Sequence, residues 1–198
     1  MKAQQPTHTG LLFGSFNPVH TGHLIIAQYF IQYTSIEEVW FVLSPQNPFK
    51  TDESMLDEQS RMQLLQKAID GNDRFRLCDV ELDMPLPSYT INTLKKIQET
   101  YPEKLFTLLI GSDNLASFDQ WKDYRDILSL VNVYVYPRPD TDDTAFASHP
   151  SVTLTGAPRL EISSTRIREA IMEGKEPRYL VPEPVLKMIK ESGYYNRL

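Results

Sequence analysis

Six short stretches of the chain are dense in apolar and β-favouring residues: 9–13 (TGLLF), 38–43 (EVWFVL), 75–80 (FRLCDV), 105–110 (LFTLLI), 131–136 (VNVYVY) and 151–154 (SVTL). Gly, Pro, Asn or Asp bound most of them, which is the pattern of buried strands. Between them the apolar spacing becomes helical. Leu24, Ala27, Gln28 and Ile31 share one face, and Met62, Leu65 and Ile69 do so within 61–69. The stretches 91–100 and 123–130 continue the alternation. Strands alternating with helices imply parallel strands joined by right-handed crossovers. The fold class predicted is therefore α/β, a Rossmann-like open parallel sheet with helices on both faces. In such a sheet ligands bind beyond the carboxyl ends of the strands, where strand order reverses.

The last part of the chain has a different rhythm. A helix is expected over 163–174, capped by Ser163-Ser164-Thr165 and stopped by Gly174. A second is expected over 182–192, with prolines in its first turn and Gly193 at its end. With no strand between them, they predict a small C-terminal helical cap over 162–198, within one domain of residues 1–198. The Pro-, Asp- and Thr-rich stretch 137–150 reads as a surface loop.

Composition excludes more than it selects. Lys plus Arg number 20 against 26 for Asp plus Glu, a net charge of −6. Bulk charge of that sign does not suit a nucleic-acid or anionic-membrane binder, so a phosphate ligand needs cations gathered locally. Cys78 is the one cysteine, too few for an internal disulfide or a Cys-rich zinc site. No apolar run approaches the ~18 residues of a membrane span. With polar residues after Met1-Lys2 and no secretory leader pattern, the expected location is cytoplasmic. Oligomeric state is left open, a homo-oligomer included.

The richest chemistry follows the first strand, in Gly14-Ser15-Phe16-Asn17-Pro18-Val19-His20-Thr21-Gly22-His23. Gly14 permits a sharp turn and close approach of backbone N–H groups to a phosphate. His20 and His23, three apart at a helix start, direct two imidazoles to one locus near the helix's positive end. Gly22 keeps that surface clear. Such an arrangement suits developing negative charge. Near the other terminus, Ile162-Ser163-Ser164-Thr165-Arg166-Ile167-Arg168 opens a helix whose cap hydroxyls and N–H groups can hold a phosphate. Arg168, about one turn on, can fold back toward the same anion.

The first segment resembles the G-x-F-x-P-x-H-x-G-H signature of the HxGH nucleotidyltransferase superfamily, with Asn17 where Asp is common. The second resembles that superfamily's ISSTxIR motif. Middle segments resemble the bacterial nicotinate-nucleotide adenylyltransferases in particular. Pro45-Gln46-Asn47-Pro48-Phe49-Lys50 is similar to their P-x-x-P-x-K loop, with Phe49 in place of the usual His. Ser88-Tyr89-Thr90 with Thr93-Leu94 resembles SYT-x-x-TL, and Gly111-Ser112-Asp113 with Trp121 resembles GxD…W. Tyr179-Leu180-Val181-Pro182 and Gly193-Tyr194-Tyr195 resemble the family's ending.

The resemblance implies adenylyl transfer from ATP to nicotinate mononucleotide, giving nicotinate adenine dinucleotide and pyrophosphate in NAD biosynthesis. It implies catalytic roles for His20, His23, Lys50 and Arg168. For ATP it implies Gly14, Ser15, Phe16, His23, Gly111, Asp113, Ile162, Ser163, Ser164 and Thr165. For the mononucleotide it implies Ser15, Asn17, His20, Lys50, Ser88, Tyr89, Thr90, Trp121 and Lys122, with Trp121 stacked on the pyridine ring. Trp121 reads equally as a core residue. Mg²⁺ is implied as a passenger on the ATP phosphates, with no protein metal cage.

Other classes fit less well. A dinucleotide-dependent oxidoreductase needs G-x-G-x-x-G where Gly14 stands alone, and a P-loop kinase needs a G-x-x-x-x-G-K-[ST] that is absent. A tRNA synthetase needs room for a tRNA-binding domain. Transfer to another acceptor (nicotinamide mononucleotide or phosphopantetheine) and a non-catalytic nucleotide-sensing module remain as alternatives.

Overall fold

The computed structural model describes residues 6–45, 55–139 and 146–196. Its centre is a six-stranded sheet in the order β3-β2-β1-β4-β5-β6. The strands are β1 (His8–Gly14), β2 (Glu38–Leu43), β3 (Phe75–Cys78), β4 (Leu105–Gly111), β5 (Asn132–Tyr136) and β6 (Val152–Leu154). Every pairing is parallel. The order reverses between β1 and β4, so a crevice opens beyond Gly14 and Gly111, the last residues of those strands.

Pleating divides the strand residues between two cores. Leu12, Phe41, Leu43 and Leu109 face one side; Leu11, Trp40, Val42, Leu108 and Ile110 face the other. The first face is covered by helices α1 (Thr21–Tyr33), α2 (Glu58–Ile69), α6 (Ser164–Met172) and α7 (Glu183–Ser192). Phe30, Leu64, Leu65, Ile167 and Val185 supply its fully buried centre. The second is covered by α3 (Thr90–Thr100), α4 (Ser112–Ala116) and α5 (Tyr124–Leu130), through Ile91, Leu94, Leu115 and Ile127. Each such side chain stabilises the fold by about 1.5–3 kcal/mol.

Local chemistry sets the boundaries. Helix α2 begins before the apolar pattern does, at Glu58, because Asp57 Oδ1 accepts the Ser60 N–H at 2.8 Å. The third strand ends at Cys78, short of the expected Val80, because the chain enters a 3-10 turn, Val80–Asp83. That turn buries Glu81, whose carboxylate accepts Ser88 Oγ at 3.0 Å and Thr93 Oγ1 at 2.7 Å. Gly193, with φ of 67°, ends α7 in the left-handed conformation that glycine adopts without steric cost.

The two C-terminal helices lie on the α1–α2 face and complete that layer. Tyr194 Oη donates to Ser60 Oγ at 2.9 Å, and Tyr195 Oη donates to Asn17 Oδ1 at 2.8 Å. The chain's end is thereby tied to the loop after β1. The stretch expected as a surface loop has no helix or strand at its described residues, 137–139 and 146–150, and two of its side chains turn inward. Arg138 faces the crevice, and Phe146 packs against Phe118 and Tyr124.

Candidate active site

The crevice is an open cavity of about 790 Å³ at the switch between β1 and β4, within the size range of small-molecule sites. Its floor is the histidine helix start. His20 occupies the cap position of α1 in an extended conformation, and its backbone N–H donates to His23 Nδ1 at 3.2 Å. A neutral His23 with Nδ1 accepting carries its proton on Nε2. The two rings stack at 3.6 Å between centroids and 19° between planes. Phe16 meets His23 edge-on at 5.0 Å.

Burial sets the charge state of this pair. Loss of solvent pushes His20 down to about 4, helped by the nearby Arg138 guanidinium. His23 lies well below the ordinary imidazole value, from desolvation first, then from His20 and Arg138. At neutral pH both rings are uncharged. Gly22 is what lets the His20 ring lie here. A methyl group at Gly22 would sit 3.0 Å from His20 Nδ1, 3.1 Å from Cε1 and 3.5 Å from Ile162 Cβ.

That last contact brings the serine-rich segment into view. Ser163 Oγ caps α6 by accepting the Arg166 N–H at 3.3 Å, and Ser164 Oγ donates to the Pro18 carbonyl at 2.9 Å. Arg168, buried, donates from Nη1 to the Asn17 carbonyl at 2.9 Å. Ile162, Ser163, Ser164, Thr165 and Arg168 line the same cavity as Gly14, Ser15, Phe16, His20 and His23. The two motifs, about 140 residues apart in sequence, form one wall-and-floor unit.

The remaining acceptor-side expectations fall on the same cavity. Ser88, Tyr89, Thr90, Trp121 and Lys122 all line it. Trp121 packs on Phe118 at 5.0 Å and also lines the cavity. Lys122 Nζ stands 4.4 Å over the Tyr89 ring. The Ser88 hydroxyl proton is committed to Glu81. Asp113 lines the cavity in exposed position, with Arg138 Nε 3.9 Å from its Oδ2. Gly111 stands beneath them, and any Cβ there would collide with the Asp113 and Arg138 side chains. Asn17 turns its side-chain carbonyl away from solvent, toward Tyr195 Oη and the Leu56 N–H. Lys50 lies outside the described residues.

Three lining or supporting charges escaped the reading of the sequence. Arg138 belongs to a stretch whose composition signals only a loop. Glu81 lies just past what reads as a strand, 75–80. Arg61 sits at an inward position of α2, one turn before Leu64 and Leu65. A charged residue in an apolar stripe was the available signal for it.

A doubly wound parallel sheet, a backbone-lined turn after β1 and two helix starts converging at the switch point define a nucleotide-binding transferase of the α/β class. The chain belongs to the cytidylyltransferase-like family, whose model matches residues 11–170, and within it to the nicotinate-nucleotide adenylyltransferases. A "probable nicotinate-nucleotide adenylyltransferase" of Cytophaga hutchinsonii is 46% identical over 187 residues, 94% of this chain and 97% of that one. One so named from Bacteroides fragilis is 45% identical over 183 residues, 92% and 91% of the two chains. Among solved structures, Plasmodium falciparum nicotinic acid mononucleotide adenylyltransferase complexed with NaAD shares the fold. Its TM-score is 0.78 at 17% identity, covering 96% of this chain and 97% of that one. The same enzyme complexed with APC gives 0.76 at 18% identity, with the same coverage. No helix among the described residues is long and apolar enough to cross a membrane.

Proposed function

We propose that this protein, acting as one domain, transfers the adenylyl group of ATP to nicotinate mononucleotide and releases pyrophosphate. The mononucleotide phosphate, already ionised at neutral pH, attacks the α-phosphorus in line, so no strong base is needed. The protein's work is to bring two anions together and to spread the charge of the crowded transition state. The convergence of the paired histidines and the Ser163 cap on one cavity carries this reading.

Depressed basicity makes His20 and His23 neutral hydrogen-bond donors to the reacting phosphates, with no cationic charge of their own. The ATP phosphates lie against Gly14, Ser15, the Ser163–Thr165 cap and Arg168, with Lys50 as a further cation. Asp113 suits a ribose hydroxyl as an acceptor. Trp121 stacks on the pyridine ring, and the acid group meets the start of α3, whose cap residue Tyr89 offers no side-chain cap bond.

Mg²⁺ completes the substrate. Among the described residues no three His, Cys, Asp or Glu side chains are grouped to hold a metal ion. Asp113 is the exposed carboxylate of the lining. That donor set fits an ion carried in by ATP with phosphate oxygens and water as its ligands. When bound it offsets phosphate charge.

The test is purified protein with ATP and Mg²⁺ against nicotinate mononucleotide, nicotinamide mononucleotide and phosphopantetheine, followed by pyrophosphate release. The acid mononucleotide is expected to react with the highest kcat/KM. Equal values for acid and amide would remove the acceptor assignment and spare adenylyl transfer. ATP binding without pyrophosphate from any acceptor would leave a nucleotide-sensing module.

A further inference from the structure

Arg61 is 1% exposed, and among the described residues it forms no ion pair with a carboxylate. Its guanidinium is spent on backbone carbonyls from three segments. Nη1 donates to Ser15 O and to Ser44 O, each at 2.8 Å, Nη2 donates to Pro45 O at 2.8 Å, and Nε donates to Leu56 O at 3.0 Å. These carbonyls belong to the turn after β1, the carboxyl end of β2 and the approach to α2. An arginine stays charged in such a place, and the planar fork can hold several carbonyls in fixed directions at once.

The contact with Ser15 has a stereochemical consequence. A trans peptide is planar, with C=O and N–H pointing opposite ways. Drawing the Ser15 carbonyl onto buried Arg61 therefore turns the Phe16 N–H away from Arg61. Phe16 adopts φ of 47°, in the left-handed region that non-glycine residues rarely occupy. Its ring is buried, so what it can offer the cavity is chiefly backbone. Rotating the Ser15–Phe16 peptide would relax that conformation, and the Arg61 bond opposes the rotation.

We propose that Arg61 is a positioning residue, which locks the Ser15–Phe16 peptide so that the Phe16 N–H faces the phosphates of the bound substrates. It touches no substrate itself. The proposal rests on the adenylyl-transfer reading for its kinetic consequence, while its effect on anion binding can be read without turnover. Hydrogen bonds aimed at developing phosphate charge act chiefly in the transition state. Losing the lock should therefore lower kcat more than it raises either KM.

The variants are Arg61→Met, similar in length and unable to donate, and Arg61→Lys, which retains charge and can reach some of the four carbonyls. Both are assayed below their melting temperatures, with folding followed by circular dichroism. Binding of inorganic pyrophosphate is measured by calorimetry alongside turnover. Arg61→Met is expected to lower kcat by ~10²-fold, with KM for ATP changed far less, and to weaken pyrophosphate binding at least ~5-fold. Arg61→Lys is expected to recover about one power of ten of that kcat. A purely structural role would lower the melting temperature and leave kcat per folded molecule and pyrophosphate affinity unchanged. That result overturns the proposal. If Arg61→Met does not fold, the same two readouts on Arg61→Lys decide, with ~10-fold lower kcat expected. A wild-type protein inactive with every acceptor would refute adenylyl transfer, and the pyrophosphate arm would still judge Arg61.

Discussion

Replacing His20 by glutamine should make the protein less sensitive to acid. An unfolded histidine takes its proton near 6.5, while His20 in the fold is held down at about 4. Between these values the unfolded chain binds more protons than the native one, so stability falls as the pH drops. The stabilisation is whole above 6.5 and has been lost once the pH passes below about 4. Full separation is about 2.5 pH units, or about 3 kcal/mol at 1.36 kcal/mol per unit. At pH 4.5 most of this, about 2–3 kcal/mol, is already gone. His23 is shifted in the same direction and partly by His20, so it adds to the loss. Urea unfolding of wild type and His20→Gln at pH 7.5 and 4.5 isolates the effect, because the carboxylates common to both cancel. Wild type should lose about 2–3 kcal/mol more than the variant over that interval. Parallel losses would mean that the His20 ring is solvated, and the neutral-donor role would fall with it.

Three further outcomes are expected. His20→Ala, folded, should turn over about 10²–10³-fold more slowly while ATP affinity changes far less, as measured by steady-state kinetics and calorimetry; near-normal turnover would take His20 out of the mechanism. Gly22→Ala should lower kcat about tenfold, because its methyl group would crowd the His20 ring at 3.0 Å from Nδ1 and shift it. Its melting temperature should shift by only a few degrees, since alanine suits a helix better than glycine. Wild-type kcat in that variant would show the ring position to be unimportant. Tyr195→Phe should cost about 1 kcal/mol in urea unfolding, the loss of one donor to Asn17 Oδ1, which keeps the Leu56 N–H. A cost above about 3 kcal/mol would contradict that accounting.

Convergence at one cavity joins residues with different kinds of duty. His20, His23 and Ser163 face the cavity, but Asn17 and Arg168, inside the same motifs, are engaged largely with the protein itself. The Asn17 carbonyls, backbone and side-chain, take donors from Arg168, Tyr195 and Leu56. A motif read from sequence therefore mixes groups that meet ligand with groups that hold the turn in shape. Only partners in space separate them.

The central strands β1, β2 and β4 were legible because both their faces are buried and such a strand is a nearly unbroken apolar run. The partly exposed β3, β5 and β6 were legible from β-favouring residues between turn signals. Helices α1, α2 and α3 were legible for the complementary reason, one buried stripe against a polar face. The two anchoring motifs were legible because phosphate chemistry needs particular residue types at fixed short spacings. Strand order, and with it the meeting of segments about 140 residues apart, was decided by which faces could be buried together. The inward turn of Arg61 and Glu81, the facing of Arg138 into the crevice and the neutrality of both imidazoles were decided there too. A side chain's charge state and direction depend on the groups and solvent around it, and those neighbours are supplied by the folded chain.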